Sequence, residues 1–357
     1  GLAADFTTPL ASTVSQTQLD LLAYVGFLHS ESVREYSGIC MLEPYQPGKI
    51  PVIFVHGLAS SPITWAPLFN DLLADPKLRD RYQFWSYFYP TGDPFPTSAA
   101  DFRESLVKLR QDLDPDHKDP AFDETVLLGH SMGGLLCKMM TIDGGEDLFR
   151  VVSEKPFDSL DLSPKVKAEL RRAFFFERQQ SVKRVVFIAT PHHGSSLSPG
   201  LPGQIANRVV HLRSSLAEAS REMIRKIPDL PGGHVPTSVE LLAPDSRALK
   251  ILLSRSPPAD VAYHSIIGVL PTTDGAVAGI HCKAEDQTDG VVSYASAHLD
   301  GVQSELIVPA EHVKVHQAIQ TTREVRRILM AHLERLAEPE SGPVLEMTNV
   351  EAGMTNE

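Results

Sequence analysis

Cysteine is scarce in this chain, with only Cys40, Cys137 and Cys282 among its 357 residues. Their odd number and wide spacing predict neither a disulfide framework nor a zinc-type metal site. Cys137 falls within an apolar run of helical pattern, which favours a position in the core.

Positive charge and long apolar runs are also scarce. The 33 Lys and Arg residues face 45 Asp and Glu residues, which gives a formal net charge of −12. This balance argues against a nucleic-acid partner, because phosphates require clustered basic side chains. It also disfavours tight binding to anionic lipids but leaves neutral and zwitterionic molecules open. No apolar run reaches the ~18 residues of a membrane-spanning helix, so no such helix is predicted.

The two ends of the chain differ from its middle. Residues 1–37 are interpreted as an N-terminal extension; no positively charged stretch followed by an apolar core indicates an intact signal peptide. The sequence does not assign a cellular compartment, and an exported or periplasmic origin is among the alternatives. Residues 338–357 carry five Glu and neither Lys nor Arg, which predicts a disordered acidic tail.

The most informative motif is Gly129-His130-Ser131-Met132-Gly133, directly behind the apolar run 126–128. A Gly-x-Ser-x-Gly sequence between a strand and a helical run is typical of a strained turn that exposes a nucleophilic serine. The helix that follows directs its N-terminal amides and positive dipole end at the same point. Ser131 is therefore the predicted nucleophile. The competing interpretation is an ordinary helix start.

A second motif lies upstream, where the apolar run 51–55 ends in His56-Gly57-Leu58. The run is typical of a buried parallel strand. A His-Gly turn after such a strand can place a backbone N–H opposite the nucleophile. We predict that the amides of Leu58 and Met132 form an oxyanion hole. His56 is expected to hold the turn by hydrogen bonding rather than to take part in catalysis.

An acid is expected between the nucleophile and a histidine in chain order. Asp289 follows the predicted strand 262–268 and precedes Gly290, which permits a tight turn. Asp274 and Asp286 are the competing candidates.

The histidine is expected after the last strand, predicted at residues 304–308. His312 lies nearest the end of that strand and is the predicted general base. His316, at or just before the final helix, is the alternative.

These motifs, in this order and spacing, resemble the bacterial lipase/esterase branch of the α/β-hydrolases, in particular its triacylglycerol-lipase-like and GPI-inositol-deacylase-like members. The resemblance covers residues 38 to 335 and includes the Thr190-Pro191-His192-His193-Gly194-Ser195 stretch, which in that family lines the site. No Asp, Glu or Cys cluster accompanies His192 and His193 at ligand spacing, so no metal is predicted.

The resemblance implies an α/β-hydrolase fold over residues 38–337, with a mostly parallel central sheet flanked by helices. It also implies a serine hydrolase that cleaves carboxylic esters, lipids or polyesters through Ser131, His312 and Asp289, without a cofactor. An acyltransferase, perhydrolase or thioesterase would use the same groups. A binding protein that keeps the fold without turnover is the remaining alternative.

Two insertions, at about residues 142–180 and 197–239, leave the sheet near the predicted nucleophile. Such insertions commonly form a cap over the substrate. The expected substrate is a small-molecule or lipid ester, and any contact of the protein with a lipid surface is expected to be transient. We expect this substrate to be bound by Trp65, His130, Phe174, Phe175 and Phe176. The alternative is that these aromatic residues pack on the core. The oligomeric state is left open.

Overall fold

The computed structural model describes residues 30–195, 214–227, 229–230, 233–270 and 287–337. Within these ranges a single sheet of seven strands has the order β1-β3-β2-β4-β5-β6-β7. Its strands are β1 (Gly38–Met41), β2 (Ile50–Val55), β3 (Tyr82–Phe88), β4 (Thr125–His130), β5 (Val182–Ile188), β6 (Ala262–Gly268) and β7 (Ser304–Val308). Neighbouring strands are parallel except for the edge strand β1, which is antiparallel to β3.

Helices connect and cover these strands. They are α1 (Ala66–Ala74), α2 (Pro76–Arg81), α3 (Phe95–Leu113), α4 (Met132–Met139), α5 (Glu146–Phe149), α6 (Pro164–Phe174), α7 (Ser214–Lys226), α8 (Ser238–Leu241), α9 (Arg247–Leu253), α10 (Tyr294–Ala297) and α11 (Ile319–Ala337). Short 3₁₀ turns occupy Ser30–Tyr36, Pro62–Trp65, Pro120–Glu124, Phe157–Ser159 and Val315–Gln317. None of the helices in the described ranges is long and apolar enough to cross a bilayer.

The sheet is buried on both faces, which explains the continuous apolar runs of its central strands. Along β2, Ile53 and Val55 join one hydrophobic cluster, with residues of α3, α4, α6 and α7. Val52 and Phe54 point to the opposite face and join a second cluster, with residues of α1, α2 and α11. The alternation follows from the two-residue period of a strand. The predicted fold class, a mostly parallel sheet flanked by helices, is confirmed.

The topology gathers the loops that carry the sequence motifs. Because β2, β4, β5, β6 and β7 are parallel, their carboxyl ends meet at one edge of the sheet. His56 follows β2, Ser131 follows β4, and Pro191 follows β5. Asp289 and His312 lie beyond β6 and β7. One edge therefore receives every predicted catalytic side chain.

The limits of the extension, the domain and the tail stay predictions. Most of the N-terminal extension and the tail 338–357 lie outside the described residues, as does Cys282. Cys137 is fully buried in α4, as its apolar neighbours indicated. Of the second insertion, residues 197–213 lie outside the described ranges, and α7 and α8 belong to its remainder.

Candidate active site

Ser131 lies at the turn between β4 and α4 in a backbone conformation that side chains rarely adopt, with φ 53° and ψ −127°. Its N–H donates to the carbonyl of Ile188 at 2.9 Å, and its carbonyl accepts from the Gly134 N–H at 2.9 Å. A non-glycine residue at positive φ costs about 1–3 kcal/mol and persists only where its surroundings hold it. The hydrogen bonds to neighbouring elements provide that constraint.

Gly133 allows the nucleophile turn to pack against the end of β2. A Cβ atom at this position would lie 2.4 Å from the carbonyl oxygen of Val55 and 2.5 Å from that of His56. Because both contacts are with backbone, a side chain here would push α4 away from the end of β2. The glycine therefore reflects a close approach, as expected for this motif.

Three predicted side chains form a hydrogen-bonded chain. His312 Nε2 lies 2.9 Å from Ser131 Oγ, and His312 Nδ1 lies 2.7 Å from Asp289 Oδ2. A carboxylate can only accept, so Nδ1 carries the proton and Nε2 is left to accept from the serine hydroxyl. All three residues are buried, with 8% of Ser131, 6% of His312 and 2% of Asp289 exposed.

Backbone amides fix the Asp289 carboxylate. Its Oδ1 accepts from the N–H groups of Val291 at 2.9 Å and Val292 at 2.7 Å, while its Oδ2 faces His312. The His312 N–H also donates to the Asp289 carbonyl at 3.0 Å. The competing acids Asp274 and Asp286 lie outside the described residues.

His130 supports the loop that carries His312. Its Nε2 lies 3.0 Å from the His312 carbonyl oxygen, which can only accept, so this nitrogen carries the proton. The ring also packs against His312 and His316 at centroid distances of 5.0 and 4.4 Å. Burial, followed by the charges of the neighbouring histidines, holds the pKa of His130 well below its usual value. A neutral ring is therefore the stable donor.

His316, the alternative base, faces away from the serine. Its Nε2 contacts Thr64 Oγ1, and its ring meets the edge of Trp65 at a centroid distance of 5.0 Å. Burial, with a smaller contribution from His312, lowers the pKa of His316 to about 4. The structure thus brings His312 and not His316 into contact with Ser131.

The two amides predicted as an oxyanion hole come from the turn after β2 and from the first residue of α4. The Met132 N–H is the first of its helix, where no preceding turn supplies an acceptor. Leu58 lies in the turn behind β2, just before Ala59 at φ 52°. His56 organises this turn: its Nδ1–H donates to the Gly57 carbonyl at 3.0 Å, and its own carbonyl accepts from the Tyr89 hydroxyl at 2.8 Å.

A cavity of about 210 Å³ opens beside Ser131. Among the described residues it is lined mainly by apolar groups and histidines: Leu58, Ala59, Ser60, Thr64, His130, Ser131, Pro191, Ser195, Leu242, Val291, Val292, His312, Val313 and His316. His130 lines this cavity, and its predicted role in substrate binding stays a prediction. Leu242 and Val313 carried no recognisable signal, whereas Val291 and Val292 belong to the motif around Asp289.

Trp65 was expected at the substrate but lies behind the site. It is fully buried against Phe54, with a ring centroid distance of 5.3 Å, and is separated from the cavity by His316. The pattern of apolar residues after His56 could not distinguish a core face from a cavity face.

The three phenylalanines also lie away from the described lining of this cavity. Phe174 is buried and borders a separate apolar space between α6 and α7. Phe175 packs on Phe157 at 4.8 Å, and the Arg103 guanidinium lies 3.5 Å above the Phe176 ring. The alternative interpretation, aromatic packing on the core, fits this arrangement. A side chain on an amphipathic helix is buried by whichever neighbour it meets, and the sequence does not name that neighbour.

No metal is predicted from the sequence at His192 and His193. In the structure their side chains lie in different environments. His192 is buried against Phe187, and the His193 N–H donates to the Ser296 carbonyl at 3.1 Å. In the part of the chain that the structure describes, no three His, Cys, Asp or Glu side chains are placed to hold a metal ion.

The buried histidines predict acid sensitivity of the fold. Burial lowers the pKa of both His56 and His316 to about 4, whereas an unfolded histidine titrates near 6.5. The unfolded state therefore binds more protons as the pH falls from about 6.5 to 4, and stability is lost over that window. Each such histidine contributes a slope of up to about 1.4 kcal/mol per pH unit.

Urea unfolding at pH 7 and pH 5 measures this loss. Other groups also lower the stability of the fold as the pH falls, so the wild type is compared with the His316→Gln variant. The variant should lose less free energy of unfolding between pH 7 and pH 5. Equal losses in the variant and the wild type would contradict the role of His316.

The chain is similar to known proteins in sequence and in structure. A curated protein, Protein SERAC1 of Danio rerio, is 27% identical over 202 residues, which cover 48% of this chain and 27% of that protein. The chain thus spans about a quarter of the length of that relative.

Several solved structures are similar at low identity. The mature Bacillus licheniformis lipase BlEst2 is 17% identical, with a TM-score of 0.46, over 82% of this chain and 97% of that one. EstA from Clostridium botulinum is 14% identical, with a TM-score of 0.47, over 83% and 90%. Lipase 1 from Pelosinus fermentans is 13% identical, with a TM-score of 0.45, over 82% and 100%.

A sequence profile of the alpha/beta hydrolase family matches residues 52–278. The matched region runs from β2 through the nucleophile turn and β6. Because it covers more than half of the chain, the protein belongs to the alpha/beta hydrolase family.

Proposed function

We propose that this protein is a serine hydrolase that cleaves carboxylic esters through an acyl-enzyme intermediate. The observation that carries the proposal is the hydrogen-bonded chain from Ser131 Oγ through His312 to Asp289, with distances of 2.9 and 2.7 Å. It ends at a cavity of about 210 Å³ that can admit part of a substrate. Nucleophile, base and orienting acid are the groups that acyl transfer requires.

In the first step, Ser131 Oγ attacks the ester carbonyl carbon and His312 Nε2 takes the hydroxyl proton. Asp289 keeps the imidazole in the tautomer with a proton on Nδ1 and stabilises the imidazolium that forms. The two amides that bind the Asp289 Oδ1 prevent the carboxylate from rotating away. The serine, otherwise a weak nucleophile, is activated at the moment of attack.

The oxyanion of the tetrahedral intermediate is assigned to the amides of Leu58 and Met132. The Met132 N–H also carries the positive end of the α4 dipole, which favours negative charge at that point. Losing one donor of this kind typically costs about 2.7–4 kcal/mol of barrier. Both donors are backbone groups, so mutation cannot remove them directly.

In the second step, the alcohol leaves with the proton held on His312 Nε2. A water molecule then gives a proton to the same nitrogen as it attacks the acyl carbonyl carbon. When the tetrahedral intermediate collapses, its bond to Ser131 Oγ breaks, Oγ takes the proton back from Nε2, and the carboxylic acid is released. Besides the attacking water, these transfers use side chains and amides of this chain.

The cavity favours an apolar acyl group. Leu58, Leu242, Val292 and Val313 contribute apolar walls beside the serine. Burial of a methylene contributes about 0.8 kcal/mol, so affinity should rise with acyl length until the cavity is filled. A space of about 210 Å³ suits short to medium chains.

The proposal is tested by treating the protein with a fluorophosphonate and by measuring hydrolysis of p-nitrophenyl acetate, butyrate and octanoate. We expect covalent label on Ser131, located by peptide mass spectrometry, and a kcat/KM that increases from acetate to butyrate. Label on another serine, or neither label nor turnover, would overturn it. Product analysis with added alcohol or peroxide separates hydrolysis from acyl transfer or perhydrolysis, and a thioester substrate separates a thioesterase.

A further inference from the structure

A second cavity, of about 640 Å³, lies on the other side of the nucleophile helix α4. It shares none of its lining residues with the cavity at Ser131. Its polar lining residues are Lys138, Arg255, His193, His298, Ser256, Tyr263 and Tyr294, together with one carboxylate, Asp300. The size falls within the range of small-molecule sites, and the ester-cleaving steps use none of these residues.

Lys138 is the unusual member of this set. It lies on α4 among buried apolar residues, and only 1% of its surface is exposed. Among the described residues, no carboxylate lies within 4.0 Å of its ammonium group, although exposed lysines such as Lys108 and Lys165 have such partners. A buried cation without a counter-ion is costly, because no opposite charge compensates its loss of hydration.

The other charges of the cavity do not neutralise Lys138. Asp300 and Glu305 are the neighbouring acids, and both pair with His298, at 3.4 and 2.7 Å. Arg255 pairs with Asp147 at 3.3 Å, at the exposed side, and adds a second cation to the wall. Among the described residues, Lys138 is thus the cation of this cavity that has no carboxylate partner.

We propose that this cavity binds a small molecule through a carboxylate or phosphate group, with Lys138 as the buried counter-charge and Arg255 as the second cation at the rim. A lysine ammonium suits either oxyanion as a point charge, and the planar Arg255 guanidinium can add paired N–H donors. The Tyr263 hydroxyl, 2.5 Å from Thr141 Oγ1, supplies a further polar group on the wall. The site is separate from the proposed catalytic groups and does not depend on their assignment.

The state of Lys138 agrees with this role. Burial lowers the pKa of Lys138 to about 8, so the ammonium form still predominates at neutral pH. Its charge, after burial, helps to hold the pKa of the neighbouring His192 well below its usual value. An anion placed next to the ammonium would compensate a charge that the protein leaves unpaired.

The test is ligand binding to the full chain, measured by calorimetry and by the melting temperature at constant ionic strength. Inorganic phosphate and acetate are titrated separately, with chloride as the reference anion. We expect saturable binding of at least one of the two and a rise in melting temperature that follows its occupancy. The tighter of the two identifies the headgroup.

Lys138→Met removes the charge and keeps the aliphatic stem, so it should weaken binding at least about tenfold while raising the melting temperature of the free protein. Arg255→Gln, at the rim and without a burial problem, should weaken binding to a lesser degree. Lys250→Met, at an exposed position on α9, is the matched control and should leave binding unchanged. Unchanged affinity in Lys138→Met, or no saturable binding of either anion to the wild type, would overturn the proposal.

Discussion

Ser131→Ala is expected to lower kcat for p-nitrophenyl butyrate by about 10³-fold or more, with the fold intact. The change removes the Oγ atom that lies 2.9 Å from His312 Nε2, and no neighbouring hydroxyl occupies that position in the hydrogen-bonded chain. What remains is the contribution of the backbone donors and of substrate binding. The melting temperature should change little, because alanine meets the same positive φ and loses only one buried hydroxyl.

The matched control is Ser195→Ala, at a second serine that lines the same cavity. Its hydroxyl donates to the Val291 carbonyl and not to a histidine, so activity should stay within about tenfold of the wild type. Retention of more than a tenth of the wild-type rate in Ser131→Ala, in a preparation free of other esterases, would contradict the assignment.

Asp289→Asn is expected to lower kcat by up to about 10⁴-fold through the imidazole tautomer. The asparagine oxygen can keep the hydrogen bonds from the Val291 and Val292 amides. Its NH₂ group then faces His312 Nδ1, which must become an acceptor, so that the ring proton moves to Nε2. A protonated Nε2 cannot take the serine proton.

The measurement is kcat as a function of pH for each of three variants, Asp289→Asn, Asp274→Asn and Asp286→Asn. We expect the large loss only in the first. A greater loss in either of the other two would place the acid there, and wild-type activity in all three would rule out these three carboxylates.

The local sequence pattern was sufficient to predict central strands of the sheet. The apolar runs 51–55 and 126–128 predicted β2 and β4 to within two residues at either end, because a strand buried on both faces needs a continuous apolar sequence. The resemblance to α/β-hydrolases is confirmed at the level of the family and the fold. The roles of Ser131, Asp289 and His312 stay predictions until the variants are measured.

The side chains around the substrate were harder to predict, because lining a cavity depends on three-dimensional neighbours. Trp65 and Phe174 are apolar residues near the right loops, and the sequence could not show that each faces the protein interior. Conversely, Leu242 reaches the cavity from a segment without a motif. Lys138 is a charged residue within an apolar helix, and the cavity that it lines was not predicted from the sequence.

The parallel order of the sheet has a consequence for the time course of folding. The proposed nucleophile and base are 181 positions apart, and they meet only when β7 has added to β6 at the edge of the sheet. Such a long-range pairing requires a large loop to close, which slows its formation relative to local helices. The proposed esterase activity is therefore expected to report arrival of the last strand during refolding, and we expect its recovery to lag behind the recovery of helical circular dichroism.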